Sequence, residues 1–292
     1  MKLSELIMEE QKLLSGMSSC FGKGVLRYFG GKSQIADWII SLIPPHECYV
    51  EPFFGSGKVF FRKRKSKAEI INDIDERIYA LFKVLSDEEL FSKFLEKIWF
   101  LGAHEKIYEE FLQELENESD LVGKAVKFFY VVNLSFSGGL GWSFIGDLRG
   151  SKGKVCESMK KRLLWIHKRL KGVWVYCRDW KDVVEKHDGE NVLMYLDPPY
   201  IGEERTTEDV YSYEMSEEDH EELVDVLLKL KAKVILSGYK NKIYERLEKN
   251  GWLRLDRKVR LRCSAGQSGE TERTESLWLN FEPFRLFQRS VR

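Results

Sequence analysis

The chain has 292 residues and 43% hydrophobic content, enough for one large core or a core with an inserted module. Lysine plus arginine equals aspartate plus glutamate at 47 each, so overall charge does not mark a polyanion binder; only segregation of charge leaves room for a positive face. No apolar run reaches the roughly 18–20 residues of a membrane span, Met1–Glu5 does not open a signal peptide, and the five cysteines form no C-x-x-C pair, which predicts a cytoplasmic protein with reduced thiols and neither a metal site nor a membrane anchor.

Residues 1–22 read as a polar helical extension. Residues 23–85 follow with two strand–helix units. The first strand runs through Tyr49-Val50-Glu51-Pro52-Phe53-Phe54 into the turn Gly55-Ser56-Gly57, with a helix expected from Lys58. Glycines at such a turn let a ligand approach the backbone, and the helix N-terminus offers free N–H groups. The second strand, Ala68-Glu69-Ile70-Ile71, ends in Asn72-Asp73. An acidic residue about 20 positions after the glycine turn is where nucleotide-binding α/β units bond ribose hydroxyls. A phosphate-binding loop is excluded. It requires glycine five residues before Gly-Lys, and Leu26 and Pro52 stand there before Gly31-Lys32 and Gly57-Lys58.

Residues 86–159 break the alternation with aromatic-rich helical patterns (Phe91, Phe94, Ile98, then Val126, Phe129, Tyr130). A glycine and aromatic segment comes next, from Leu134 through Ser137, Gly138 and Trp142 to Phe144, with Arg149, Lys152 and Lys154 as its nearest basic groups. It reads either as a folded lid or as a loop that enters a duplex. Alternation resumes over 160–292, with strands expected at Val173–Tyr176, Asn191–Leu196, Val234–Leu236 and Leu277–Phe281. The fold class is therefore α/β, a doubly wound Rossmann-like sheet with an inserted, mainly helical domain. Basic residues cluster at Arg62–Lys65, Lys161–Lys171 and Arg254–Arg262, each a solvated face or part of a positive one.

The run Val192–Leu196 enters Asp197-Pro198-Pro199-Tyr200, a buried strand ending in a rigid loop. Ligands of open α/β sheets sit beyond the carboxyl ends of the strands. A carboxylate, constrained carbonyls and an aromatic ring there suit a planar amine. The same four residues also read as a strand-capping turn with a core tyrosine.

In chain order, Arg27-Tyr28-Phe29-Gly30-Gly31-Lys32, Tyr49 to Gly57, Asn72-Asp73-Ile74-Asp75, Cys177-Arg178-Asp179-Trp180 and Asp197 to Tyr200 resemble the segments of the Dam-type DNA adenine-N6 methyltransferases. Val234 to Tyr239 and Glu275 to Phe281 resemble the late strands of that family. The resemblance implies a methyltransferase sheet, S-adenosyl-L-methionine as cofactor and double-stranded DNA as partner, with no metal; a restriction endonuclease in the same system is left open. It implies catalysis by Asp197, Pro198, Pro199 and Tyr200. It implies cofactor contacts from Tyr28, Gly31, Lys32, Glu51, Pro52, Phe53, Gly55, Gly57, Asp73, Asp179, Trp180 and Asp197. It makes the 86–159 insert the target-recognition domain, with Arg27, Ser137, Gly138, Trp142 and Arg149 on DNA. The family's F-N-x-x-x-R-x-N-like element is replaced here by the Phe136–Phe144 segment, so the base sequence read does not follow. Adenine methylation of RNA, or a catalytically inactive nucleic-acid binder, stands as the alternative. A cytosine-N4 enzyme would more often carry serine at Asp197.

Overall fold

The computed structural model describes residues 26, 32, 34–99, 101–135, 144, 157–201, 214–261 and 271–283. The expected extension over 1–22 lies outside them. Seven strands are found among the described residues: β1 (Cys48–Glu51), β2 (Ala68–Asn72), β3 (Trp174–Tyr176), β4 (Val192–Leu196), β5 (Lys233–Gly238), β6 (Leu253–Leu261) and β7 (Thr271–Leu279). The helices are α1 (Ala36–Ser41), α2 (Glu76–Ser86), α3 (Glu88–Trp99), α4 (Glu105–Glu114), α5 (Leu121–Leu134), α6 (Glu157–Leu170), α7 (Trp180–Lys186), α8 (Glu217–Leu227) and α9 (Glu245–Lys249). The chain divides into two compact units.

One unit comprises Ser33–Phe54, Arg64–Ile74 and Arg178–Arg292, and its sheet runs β2-β1-β4-β5-β7-β6. The first four strands are parallel, in a register that sets Glu51 beside Ile71, Val50 beside Met194 and Leu196 beside Leu236. Parallel strands are covered on both faces and so read as continuous apolar runs. Tyr49, Val50, Leu193, Met194, Leu196, Val234, Ile235 and Leu236 are all buried. From β1 the chain builds outward to β2 and later returns to lay β4 on the opposite side. Sheets with such a reversal bind ligands beyond the carboxyl ends of the strands that flank it, here β1 and β4. The two remaining strands are antiparallel, β7 to β5 and β6 to β7.

The strand expected at Leu277–Phe281 begins six residues earlier and stops at Leu279. It stops because Asn280 turns its amide onto the start of β5: Oδ1 accepts from Val234 N at 2.8 Å and Nδ2 donates to Ala232 O at 2.8 Å. The basic cluster near Arg254–Arg262 is largely a strand. β6 pairs with β7 over nine residues, and two of its cations meet carboxylates, Arg254 with Glu248 and Asp256, Lys258 with Glu272.

The other unit comprises Met1–Lys32, Gly55–Lys63 and Asp75–Cys177, and contains the stretch expected as the helical insert. Its centre is α5, buried on nearly every side from Val122 to Asn133, as expected of a helix apolar all round. Phe129 meets Phe94 of α3 edge-on at 5.5 Å, and Tyr130 meets Phe111 of α4 at 5.2 Å. The Tyr130 hydroxyl donates to Gly102 O and accepts from His104 N, tying down the loop before α4. Asp75 caps α2 through Arg77 N and takes the Arg77 guanidinium on both oxygens, at 2.8 and 2.6 Å, in a pair that is 7% exposed on each side.

The helix expected from Lys58 does not form; residues 58–62 make successive turns. Phe61 N still reaches Gly57 O, but the Phe60 carbonyl is taken by Arg169 Nη2 at 3.2 Å, with the guanidinium 3.9 Å above the Phe60 ring. Phe61 is held between Phe82 and Trp165. These tertiary contacts outweigh the one or two backbone bonds that another helical turn would add.

Candidate active site

At the end of β1, Glu51 is only 2% exposed and accepts a 2.7 Å hydrogen bond from the Tyr49 hydroxyl. Burial, with the Glu51 charge beside it, holds the Tyr49 phenol well above its ordinary range, so it remains a donor. The next two residues lead into a knot tied by Asn72, the last residue of β2. Asn72 Nδ2 donates to Pro52 O at 2.9 Å and to Arg178 O at 3.0 Å, while Oδ1 accepts from Arg178 N at 3.0 Å. The Asn72 carbonyl also accepts from Phe54 N. One 1%-exposed amide thus fixes three segments, those after β1, after β2 and before α7.

That knot places the expected cofactor residues. Phe53 and Trp180 lie stacked, centroids 6.1 Å apart with 30° between the rings. Asp73 is half-buried and followed by Ile74, an exposed apolar side chain at 42%. Asp179 is exposed and caps α7, its Oδ1 accepting from Lys181 N at 2.8 Å.

Asp197 follows β4 directly. Because Leu196 pairs with Leu236, the neighbouring Ser237 of β5 lies alongside it, and Ser237 Oγ donates to Asp197 Oδ1 at 2.8 Å. The Tyr195 hydroxyl is 3.2 Å from the same Oγ. Burial pushes the Tyr195 phenol well up, and the Asp197 charge adds to that, followed by Glu51 and Glu275. A single buried phenol therefore senses carboxylates at the ends of β1 and β4 and on β7. Pro198 is buried, and Tyr200 is half-buried. The Tyr200 hydroxyl donates to Glu275 Oε2 at 2.9 Å, and its ring lies 4.4 Å from that of Tyr239 at 50°. Arg273 Nη1 in turn donates to the Tyr239 hydroxyl at 3.3 Å.

Of the residues expected in the other unit, Lys32 is 8% exposed, and Gly55 and Gly57 adopt φ of 49° and 62°. A Cβ at Gly55 would meet nothing within 4 Å, so the left-handed backbone, not crowding within the protein, selects glycine there. Lys58 Nζ donates to Leu26 O at 3.3 Å, and burial lowers its pKa. Arg27, Tyr28, Gly31, Ser137, Gly138, Trp142 and Arg149 lie outside the described residues. No group of three or more His, Cys, Asp or Glu among the described residues is arranged to hold a metal ion, and no helix among them is long and apolar enough to cross a membrane.

Sequence reasoning assigned no role to Asn72, Ser237, Tyr239 or Glu275. Asn72 sat in the right motif one place before the expected acid. Ser237, Tyr239 and Glu275 lay in segments marked only as strands, and nothing local signals a partner 40 or 75 positions away.

Residues 28–261 match the family model described as D12 class N6 adenine-specific DNA methyltransferase. The chain is 25% identical over 184 residues to the DNA adenine methylase of Escherichia coli (strain K12), covering 61% of this chain and 65% of that protein. It is 24% identical over 187 residues to that of Serratia marcescens, covering 61% and 67%. The chain thus spans about 65% of the length of the Escherichia coli relative it matches. Among solved structures, precorrin-6y C5,15-methyltransferase from Geobacter metallireducens GS-15 aligns over 84% of this chain and 86% of its own, at 8% identity and a TM-score of 0.34.

Proposed function

Because the chain belongs to the D12 class N6 adenine-specific DNA methyltransferase family, we propose that it methylates the N6 amine of an adenine turned out of double-stranded DNA, in the cytoplasm, with S-adenosyl-L-methionine as donor. The observation that carries this is the end of β4. Asp197 stands there with one oxygen held by Ser237 and a fixed tyrosine ring three residues on.

The chemistry of this loop suits an amine. Pro198 and Pro199 have no N–H, so the Asp197–Pro198 and Pro198–Pro199 peptide groups present carbonyl acceptors with no donor of their own. The Asp197 carboxylate takes one N–H of the amine and the Pro198 carbonyl the other. Both bonds favour the tetrahedral nitrogen that can share its lone pair. The proton lost after transfer leaves through the Asp197 hydrogen bond, which asks only for an ionised carboxylate. Extruding the nucleotide costs a few kcal/mol, and stacking on the Tyr200 ring returns about 1–3 kcal/mol.

The donor set fits the cofactor. The Glu51 carboxylate suits an ammonium, Asp73 a ribose diol, the Phe53–Trp180 pair the flat faces of a base, and Asp179 its exocyclic amine. When bound, the sulfonium supplies an electrophilic methyl group. The protein's part is to align the amine with it and exclude competing water.

The test is expression in a host free of DNA methylation, followed by sequencing that reports N6-methyladenine at single-base resolution. Methylation confined to one short motif supports the assignment, and that motif would also be the site of any companion restriction endonuclease. Soluble protein that binds S-adenosyl-L-methionine yet leaves no methyladenine would overturn it and make RNA the next substrate to try.

A further inference from the structure

We infer that Glu275 is a positioning residue of this active site, holding the Tyr200 ring in the orientation a stacked base requires; the inference rests on the function proposed above. A tyrosine that stacks on a mobile base loses affinity if its own ring turns. Tyr200 follows two prolines at the end of an element, and no strand pairing reaches it to fix the side chain. Two contacts, one from β7 and one from the residue after β5, hold it instead. Its hydroxyl donates to Glu275 Oε2 at 2.9 Å, and one flank of the ring rests against Tyr239.

Glu275 is well placed for the task because its backbone is held within the sheet. It pairs with Arg257 of β6 and lies one residue beyond the pair Gly238–Ser276 between β5 and β7. The alternation of β7 puts Glu275 and Arg273 on one face. From that face the two side chains reach the two tyrosines in tilted contact, Glu275 to Tyr200 and Arg273 to Tyr239. A carboxylate on a rigid strand gives a charge-assisted bond with little freedom, the arrangement that fixes a ring within a few tenths of an ångström.

The experiment compares Glu275→Ala, Glu275→Gln, Tyr200→Phe and the Glu275→Ala/Tyr200→Phe double variant, with Thr274→Ala as a control. Methyl transfer to unmethylated phage DNA is measured alongside cofactor affinity and thermal stability. Losing a hydrogen bond to a charged acceptor corresponds to about ten- to a hundredfold. Glu275→Ala and Tyr200→Phe should each lose that much in kcat/KM for DNA, with cofactor affinity unchanged. Glu275→Gln should recover most of it, because its amide oxygen still accepts from the hydroxyl. The double variant should be no worse than either single one, since both remove the same bond. Additive losses, a Gln variant as poor as Ala, or unchanged turnover in Glu275→Ala would each overturn the inference while leaving the methyltransferase assignment intact. Loss of cofactor binding in Glu275→Ala would also overturn it, by showing a structural role. A wild type inactive on DNA would instead remove the assignment, and this inference with it.

Discussion

Replacing Asn72 gives the sharpest test of how the end of the sheet proposed to hold the cofactor is built. Its side chain makes three hydrogen bonds of 2.9–3.0 Å at 1% exposure. Alanine removes all three and leaves Pro52 O, Arg178 O and Arg178 N without these partners. At about 1 kcal/mol net for each bond, Asn72→Ala should cost about 3 kcal/mol. At about 2–4 °C for each kcal/mol, the midpoint should fall by about 6–12 °C. Aspartate is the more informative change, being the same shape with opposite polarity on one arm. Its second oxygen would face two carbonyls at 2.9 and 3.0 Å, where the amide now donates. Asn72→Asp should therefore be at least as damaging as alanine at pH 7. Crowding by carbonyls raises the folded-state pKa of the new carboxyl above its unfolded value. The folded protein then binds more protons, and the deficit shrinks as pH falls toward 5. Thermal unfolding by circular dichroism measures the stability change, and calorimetric titration with S-adenosyl-L-methionine should show weaker binding in both variants. An Asp variant as stable as wild type, or an Ala variant within about 0.5 kcal/mol of it, would refute the assignment of Asn72 as the tie between the three segments.

Two other substitutions address separate parts of the molecule. Asp197→Ala should lower methyl transfer by at least about a hundredfold while cofactor affinity stays within about threefold, since the proposed function sets its carboxylate on the target amine; parallel loss of both would mean the fold had failed. Arg77→Ala leaves Asp75 buried without its guanidinium and should destabilise the helical unit by about 3–5 kcal/mol, read as a lowered denaturation midpoint, and a change under 1 kcal/mol would mean that solvent reaches the pair.

The parallel strands were legible because burial on both faces leaves the same mark wherever they occur, an unbroken apolar run such as Val192–Leu196. The strand β6 was not. The charges of Arg254–Arg262 read as a solvated face or part of a positive one, with no strand expected there, whereas Leu253–Leu261 is an antiparallel strand at the margin of the sheet. The turns after Gly57 were misread as a helix because the competing acceptor, Arg169, lies 109 positions away. Within the site, the motifs pointed to Glu51, Asp73 and Asp197 through residue type and spacing. The residues that orient them depend on register. Ser237 reaches Asp197 only because Leu196 pairs with Leu236, and no local pattern encodes that pairing.

The placement of β4 has a consequence for biosynthesis. Its partner β1 is complete at Glu51, but the first residue that can pair on its other side, Val192, lies 144 positions after Cys48. At about 5–20 residues per second, the ribosome takes roughly 7–30 s to make that stretch. Until then the side of β1 that β4 later covers is a bare apolar edge. A nascent chain halted before residue 192 would keep that edge exposed to other molecules, so slower initiation and chaperone cover should raise the yield of folded protein.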